Sequence, residues 1–228
     1  MLPSSMLAVS SRRRVEADSL NGVAYQTIKE QIVSLQLPPA SLVDEARLAE
    51  ELGLGLTPVR QALRRLALEN LVVILPRRGT IVADLNFSDL QKIFEMRIDL
   101  EALAADLAAQ RATTDQLNAI ECLLSTTEAL LAAGDNRQLI ELDRALHTLI
   151  ARAAHNEFLE QTLDWLYGHV LRLWNISLHH MNILRTPIDE HQAIFDAIRT
   201  RDGAQAATLM RAHVRRFQEE FNQTVLAR

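Results

Sequence analysis

The stretch that most constrains this chain runs from Leu42 to Leu71, LVDEARLAEELGLGLTPVRQALRRLALENL. A short helix over about Glu45–Leu52 is stopped by Gly53, and a second begins where Thr57 is followed by Pro58. Thr57 is expected to be the N-cap, because a hydroxyl there accepts an orphan amide hydrogen, and Pro58 at the first helical position gives up no donor that the helix needs. This helix should run to about Glu69. Upstream, Val23, Ala24, Ile28, Ile32 and Leu35 recur close to helical spacing until Pro38 and Pro39. Downstream, Val72 to Leu75 and Thr80 to Val82 read as strands around a turn from Pro76 to Gly79. Three helices and a small hairpin predict a winged helix-turn-helix.

Beyond Asp84 the strand signal disappears, and stretches rich in Ala, Leu, Glu, Gln and Arg take over. Breaks near Thr113–Thr114, Gly134–Asn136, His155–Asn156, Arg185–Pro187 and Asp202–Gly203 divide them into roughly six helices. Thr186 with Asp189 three residues on reads as a capping box, and Asp202 as the cap of the last helix. The expected fold class is mainly α. Residues 1–20 form a flexible N-terminal arm, 21–83 the winged helix-turn-helix, 84–88 a linker with Ser88 capping the next helix, and 89–228 an all-α helical bundle.

Composition narrows the function classes. The 228 residues are 48% apolar and 23% charged with only 7 Gly and 6 Pro, which fits a helix-rich globular protein with a real core. The single cysteine, Cys122, excludes an internal disulfide framework and reads as a small core residue in a helical stretch, so a reducing, cytoplasmic compartment is expected. No uninterrupted apolar run approaches the roughly 18 residues of a membrane span. The net charge of -5 is unevenly divided: residues 1–83 carry 10 Lys+Arg against 8 Asp+Glu, and residues 84–228 carry 14 against 21. The basic surplus sits at the winged end.

On the helix after Thr57, taken at 100° per residue, Val59, Ala62, Leu63 and Leu66 share one inward arc, leaving Arg60, Gln61, Arg64 and Arg65 outside. Arginine forks match phosphate oxygens or the guanine edge, and a helix fits the major groove, so this outer face suits double-stranded DNA. The alternative is an ordinary solvated face. The Leu42–Leu71 stretch, with Leu-Ala, a Leu-Gly turn, Thr-Pro-Val-Arg and a following Ala-Leu, then Pro-Arg-Arg-Gly, resembles the signature of GntR-family transcription regulators of the FadR-like branch. The resemblance implies that Thr57 and Arg60 carry phosphate or base contacts. It also implies that Arg77, Arg78 and Gly79 at the wing tip approach the minor groove. The family's turn usually ends in Ser-Arg or Thr-Arg before Thr57, whereas Gly55 and Leu56 stand here. An expected DNA-contacting arginine is therefore missing, which implies a different operator affinity or preference.

In the second half, Asp143 and His147 are four apart at the margin of an apolar arc with Leu142, Leu146, Leu149, Ile150 and Ala153. His191 sits among Ile188, Ile194, Phe195 and Ile198, and His213 among Leu209, Met210 and Phe217. A carboxylate and three imidazoles thus face inward from three helices. Each alone reads as a hydrogen-bonded core group or a surface pair; together they form a set suited to zinc, nickel or manganese. Asp143-Arg-Ala-Leu-His147, Glu190-His191-Gln-Ala-Ile and Met210-Arg-Ala-His213 are similar to the ligand pattern of the metal-binding FadR C-terminal, or FCD, domains. Glu95-Met-Arg97 with Glu101 resembles the first helix of that domain. His155, His169, His179 and His180 match no ligand position and read as surface or pocket-rim residues.

Arg97 has two readings: a salt bridge to Glu101 on the same helix face, or a fork for an organic acid, with Arg172 and Asn175 completing its pocket. The resemblance implies a homodimeric regulator, usually a repressor, bound to a palindromic operator and modulated by a small carboxylate held at the metal. A metalloenzyme fused to a DNA-binding domain is the second reading, though no general base accompanies the four ligands, and a direct metal sensor is the third.

Overall fold

The computed structural model describes residues 19–134, 136–177 and 190–226, arranged as two compact units. Among the described residues, one contains 19–86 together with Leu171–Ile176, and the other the rest. All but two residues of the expected N-terminal arm lie outside the described residues, as do the expected capping box at Thr186 and Asp189 and the imidazoles of His179 and His180.

In the first unit, helix α1 (Leu20–Val33) is capped by Ser19, whose hydroxyl accepts from the Gly22 amide at 3.0 Å. Helix α2 (Glu45–Leu52) is capped by Asp44, which accepts from the Ala46 and Arg47 amides. It ends at Gly53 with φ 63°, a left-handed conformation that costs a residue without Cβ little. Helix α3 (Leu56–Leu68) starts earlier than expected. Its N-cap is Gly55, with no side-chain bond, and Thr57 lies inside the first turn. Proline is tolerated across that turn because none of its amides has an intrahelical acceptor, so Pro58 marks the turn rather than one residue in it.

Strands β1 (Leu42–Val43), β2 (Val72–Leu75) and β3 (Gly79–Val82) form an antiparallel sheet in the order β1-β3-β2, with Leu42 and Val73 flanking Ile81. The two-residue β1 is too short to show alternation and was not expected. Ala24, Ile28 and Ile32 of α1, Val59, Leu63 and Leu66 of α3, and Leu71 and Val82 are fully buried together. Each larger side chain here contributes about 1.5–3 kcal/mol by leaving water. A polar network ties α1 to α3: the Tyr25 hydroxyl donates to Glu69 at 2.5 Å, Lys29 donates to Tyr25 at 3.2 Å, and Lys29 pairs with Glu69 at 3.2 Å. The Arg65 guanidinium lies 3.8 Å from the Tyr25 ring centroid, drawn toward α1 and away from the face of Arg60 and Arg64.

Seven helices run through the described residues of the second unit: α4 (Phe87–Arg111), α5 (Thr114–Leu124), α6 (Thr127–Ala133), α7 (Asn136–Ala153), α8 (Glu157–Ser177, whose Leu171–Ile176 belong to the first unit), α9 (His191–Arg199) and α10 (Gly203–Leu226). The short α6 had not been expected, and Ser88 lies within α4 rather than before it. Asp202 caps α10 by accepting from the Gln205 amide at 2.9 Å. Helix α4 packs along α10, with Phe94 against Phe217 and Phe221 at ring separations of 5.6 and 6.4 Å. Where α10 begins, a Cβ on Gly203 would stand 2.0 Å from Asp106 Oδ1 and 3.2 Å from the Asp106 carbonyl, so a larger residue there would have to turn the Asp106 side chain aside.

Cys122 is exposed, not part of the core. Ile120, Leu123 and Leu124 set the buried face of α5, and an Ala/Leu-rich composition does not specify that phase. No helix among the described residues is long and apolar enough to cross a membrane.

Candidate metal centre and nucleic-acid interface

The second unit brings Asp143 and His147 of α7, His191 of α9 and His213 of α10 into one buried cluster. Their candidate ligand atoms all lie within 4.8 Å of one another. His191 Nε2 stands 3.2 Å from Asp143 Oδ1, and His147 Nε2 3.6 Å from the same oxygen. His191 is 1% exposed, yet neither of its ring nitrogens makes a hydrogen bond. Its Nε2 approaches Asp143 without hydrogen-bond alignment. Burial lowers its pKa to about 4, so it is a neutral imidazole with a lone pair. A buried polar atom without a partner is costly, and a metal ion bound by both His191 and Asp143 would satisfy it. On this observation the donor set, one carboxylate and three imidazoles, fits a divalent transition metal.

Three further side chains fix the cluster. His147 Nδ1 is in short contact with Glu101 Oε2, Tyr167 of α8 donates to Asp143 Oδ2, and Glu190 Oε2 lies 3.1 Å from His213 Nδ1. A neutral imidazole that donates from Nδ1 presents an unprotonated Nε2, so Glu101 and Glu190 select the tautomer a metal requires. The electrostatic field points the same way. Burial opposes an imidazolium at His147, but Glu101 and Asp143 outweigh it and raise its pKa. Asp143 is also buried, yet the neighbouring His147 holds its carboxyl well below the usual range. A field that favours a proton on His147 also favours a cation among the four donors.

Arg97 is 3% exposed and gives both Nε (2.9 Å) and Nη2 (2.5 Å) to Glu101 Oε1, with its guanidinium 4.8 Å from the Tyr167 ring centroid. The salt bridge to Glu101, one of its two readings, is formed. Glu101 thus links Arg97 to His147. Arg172 and Asn175 fall in the first unit, where Arg172 donates to the Ala83 carbonyl and Asn175 to the Val33 carbonyl at 2.8 Å. Helix α8 buries residues on several sides, so periodicity did not fix which way they face. His155 is exposed beside Gln116, and His169 stands edge-on to Trp165.

Sequence reasoning missed Tyr167 and the role of Glu190. Both left a trace: a phenol among Leu163, Leu166 and Val170 needs a hydrogen-bond partner, and Glu190 directly precedes His191.

In the first unit, Thr57, Arg60, Gln61 and Arg64 are all exposed, while Val59, Ala62, Leu63 and Leu66 are buried. Arg60 Nε rests 2.8 Å from Glu45 Oε2 of α2. At the β2–β3 turn, Arg77 (φ 63°), Arg78 and Gly79 (φ 95°) are exposed. The arrangement is a helix of a three-helix fold presenting cations and amides, with a two-stranded wing ending in arginines.

A winged helix-turn-helix joined to a helical unit with a buried Asp/His cluster defines a DNA-binding transcription regulator. Residues 20–82 match the model of bacterial regulatory proteins of the gntR family, and residues 92–216 match the FCD domain. The chain is 31% identical over 206 residues to the HTH-type transcriptional repressor GlaR of Escherichia coli (strain K12), covering 86% of this chain and 92% of that protein. It is 28% identical over 192 residues to the uncharacterized HTH-type transcriptional regulator YdhC of Bacillus subtilis (strain 168), covering 83% and 85%. The fold also matches the solved structure of E. coli McbR/YncC, with a TM-score of 0.79 at 23% identity over 90% of this chain and 98% of that one. The chain belongs to the GntR family of bacterial transcription regulators and carries an FCD domain; its relatives are regulators, not enzymes.

Proposed function

We propose that this regulator is a cytoplasmic repressor. It binds a palindromic operator as a homodimer and responds to a small carboxylate held at a divalent metal. Residues 21–83 read the DNA, 84–88 link, and 89–228 sense, with residues 1–20 as an arm. Asp143, His147, His191 and His213 hold the metal, which is zinc, nickel or manganese. When bound, the metal supplies open coordination positions for carboxylate or hydroxyl oxygens. The observation that carries this reading is His191, buried and neutral with both ring nitrogens unbonded. Glu101 and Glu190 orient two of the imidazoles, Tyr167 holds Asp143, and Arg97 neutralises Glu101. Arg97 gives two of its five N–H donors to Glu101, and the others serve as the fork for the effector carboxylate. The repressor sign is supported by the printed roles of GlaR and of the E. coli RspR, which is 24% identical over 204 residues.

At the DNA, Arg60, Gln61 and Arg64 of α3, with Thr57 in its first turn, enter the major groove, and Arg77, Arg78 and Gly79 approach the minor groove. An effector shifts DNA affinity only by its differential affinity for two states, typically about 1–3 kcal/mol. The test is metal analysis of protein purified without added metal, then thermal-shift screening of sugar acids, hydroxy acids and dicarboxylates, then operator binding with each hit. A metal stoichiometry near zero, or hits that leave operator affinity unchanged, would overturn the reading. A response to metal alone would make the chain a metal sensor instead.

A further inference from the structure

The residue that opens α3 is a leucine at the margin of its buried arc, about 20° from Leu63, that stays open to solvent. Leu56 is 42% exposed, whereas the inward residues Val59, Ala62, Leu63 and Leu66 are at 2% or less. At 100° per residue Leu56 lies about 40° from Arg60, on the side that continues through Arg64 and Thr57. The residue before it, Gly55, has no side chain, and a Cβ there would meet only Pro58 Cδ at 3.9 Å.

In a helix-turn-helix the first residues of the second helix face base edges. Leucine has no donor or acceptor, so it cannot read the hydrogen-bonding pattern of a base. The one apolar group on the major-groove edge of a base pair is the 5-methyl of thymine. We propose that Leu56 determines part of the operator preference by packing on a thymine methyl in each half-site. Base reading by α3 then combines polar contacts from Arg60, Gln61 and Arg64 with one apolar contact. The inference rests on the assignment of the outer face of α3 to DNA.

The test begins with duplexes selected from a random library by the full-length protein. Each thymine of the half-site is then replaced singly by deoxyuridine, which keeps the pairing and removes only the methyl group. One position should weaken wild-type binding roughly fourfold, the scale of one buried methyl group. Leu56→Ala, which exchanges an exposed side chain for a good helix former, should bind thymine and uridine duplexes within about twofold of each other. A flat uridine scan, a half-site without thymine, or equal sensitivity in wild type and Leu56→Ala overturns the proposal. Arg60→Ala separates this from the underlying assignment: it should weaken every duplex, uridine-substituted or not. Unchanged affinity in Arg60→Ala would remove the face of α3 from DNA and the proposal with it.

Discussion

Glu101 meets Arg97 on one oxygen and His147 on the other, and all three side chains are buried. Removing the charge at Glu101 while keeping its shape should free the His147 tautomer, so Glu101→Gln should weaken metal binding by roughly 10–100-fold, read by competition with a chelator. Unaltered affinity would make Glu101 a purely structural partner of Arg97. Arg97→Ala is the more damaging change. It leaves a buried carboxylate with His147 alone, and should cost about 3–5 kcal/mol in denaturant unfolding, whether or not an effector is present. The four candidate ligands were legible because inward polar residues on apolar arcs are rare. Glu101 with His147 was not, because a contact 46 residues apart in sequence leaves no periodic trace.

At the scale of elements, helix starts and short pieces were the least legible, for the same reason in each case: several neighbouring residues satisfy the same rule. The first turn of α3 tolerates Pro58 anywhere, and β1 is two residues long. Helix faces with strong apolar periodicity, such as the inner face of α3, were legible in full. Salt dependence tests α3 and the wing together. Arg60→Ala should weaken operator binding, and Arg77→Ala should also flatten the log–log salt slope by about 0.9, the contribution of one phosphate contact; Leu56→Arg should steepen it by a similar amount.

Alkali tests the contact between α1 and α3. Burial and the bond to Glu69 push the Tyr25 phenol up to about 12 despite the opposing Lys29. A pKa raised in the folded state contributes stability that is present below the unfolded value near 10 and lost as pH rises through 12. Tyr167, the other of the two tyrosines, is shifted up as well, chiefly by burial and then by Asp143. Tyrosinate absorbance should therefore stay silent through pH 10 and rise only near pH 12 or on unfolding. A normal titration at pH 10 would show that neither phenol is buried in solution.

For the whole molecule, four candidate ligands drawn from three helices would make a bound metal a cross-link of the second unit. A chelator should lower the melting temperature of the metal-loaded protein, and His213→Ala should reproduce that loss without chelator. Equal melting with and without metal would reduce the cluster to a packed core. Operator binding should titrate at two chains per palindrome, measured by sedimentation of the complex; one chain per site would remove the homodimer. The division of charge, basic surplus in the first 83 residues and acidic in the rest, was readable from sequence.

The exposed thiol on α5 has a practical consequence. Since Cys122 is the chain's one cysteine and is open to solvent, a maleimide dye or nitroxide should attach once per chain without denaturant and without engineering. In a symmetric dimer two such labels define a single distance. The distribution of that distance, followed by electron resonance or energy transfer as metal, acid and operator are added in turn, would report any rearrangement of the sensing unit in the native protein.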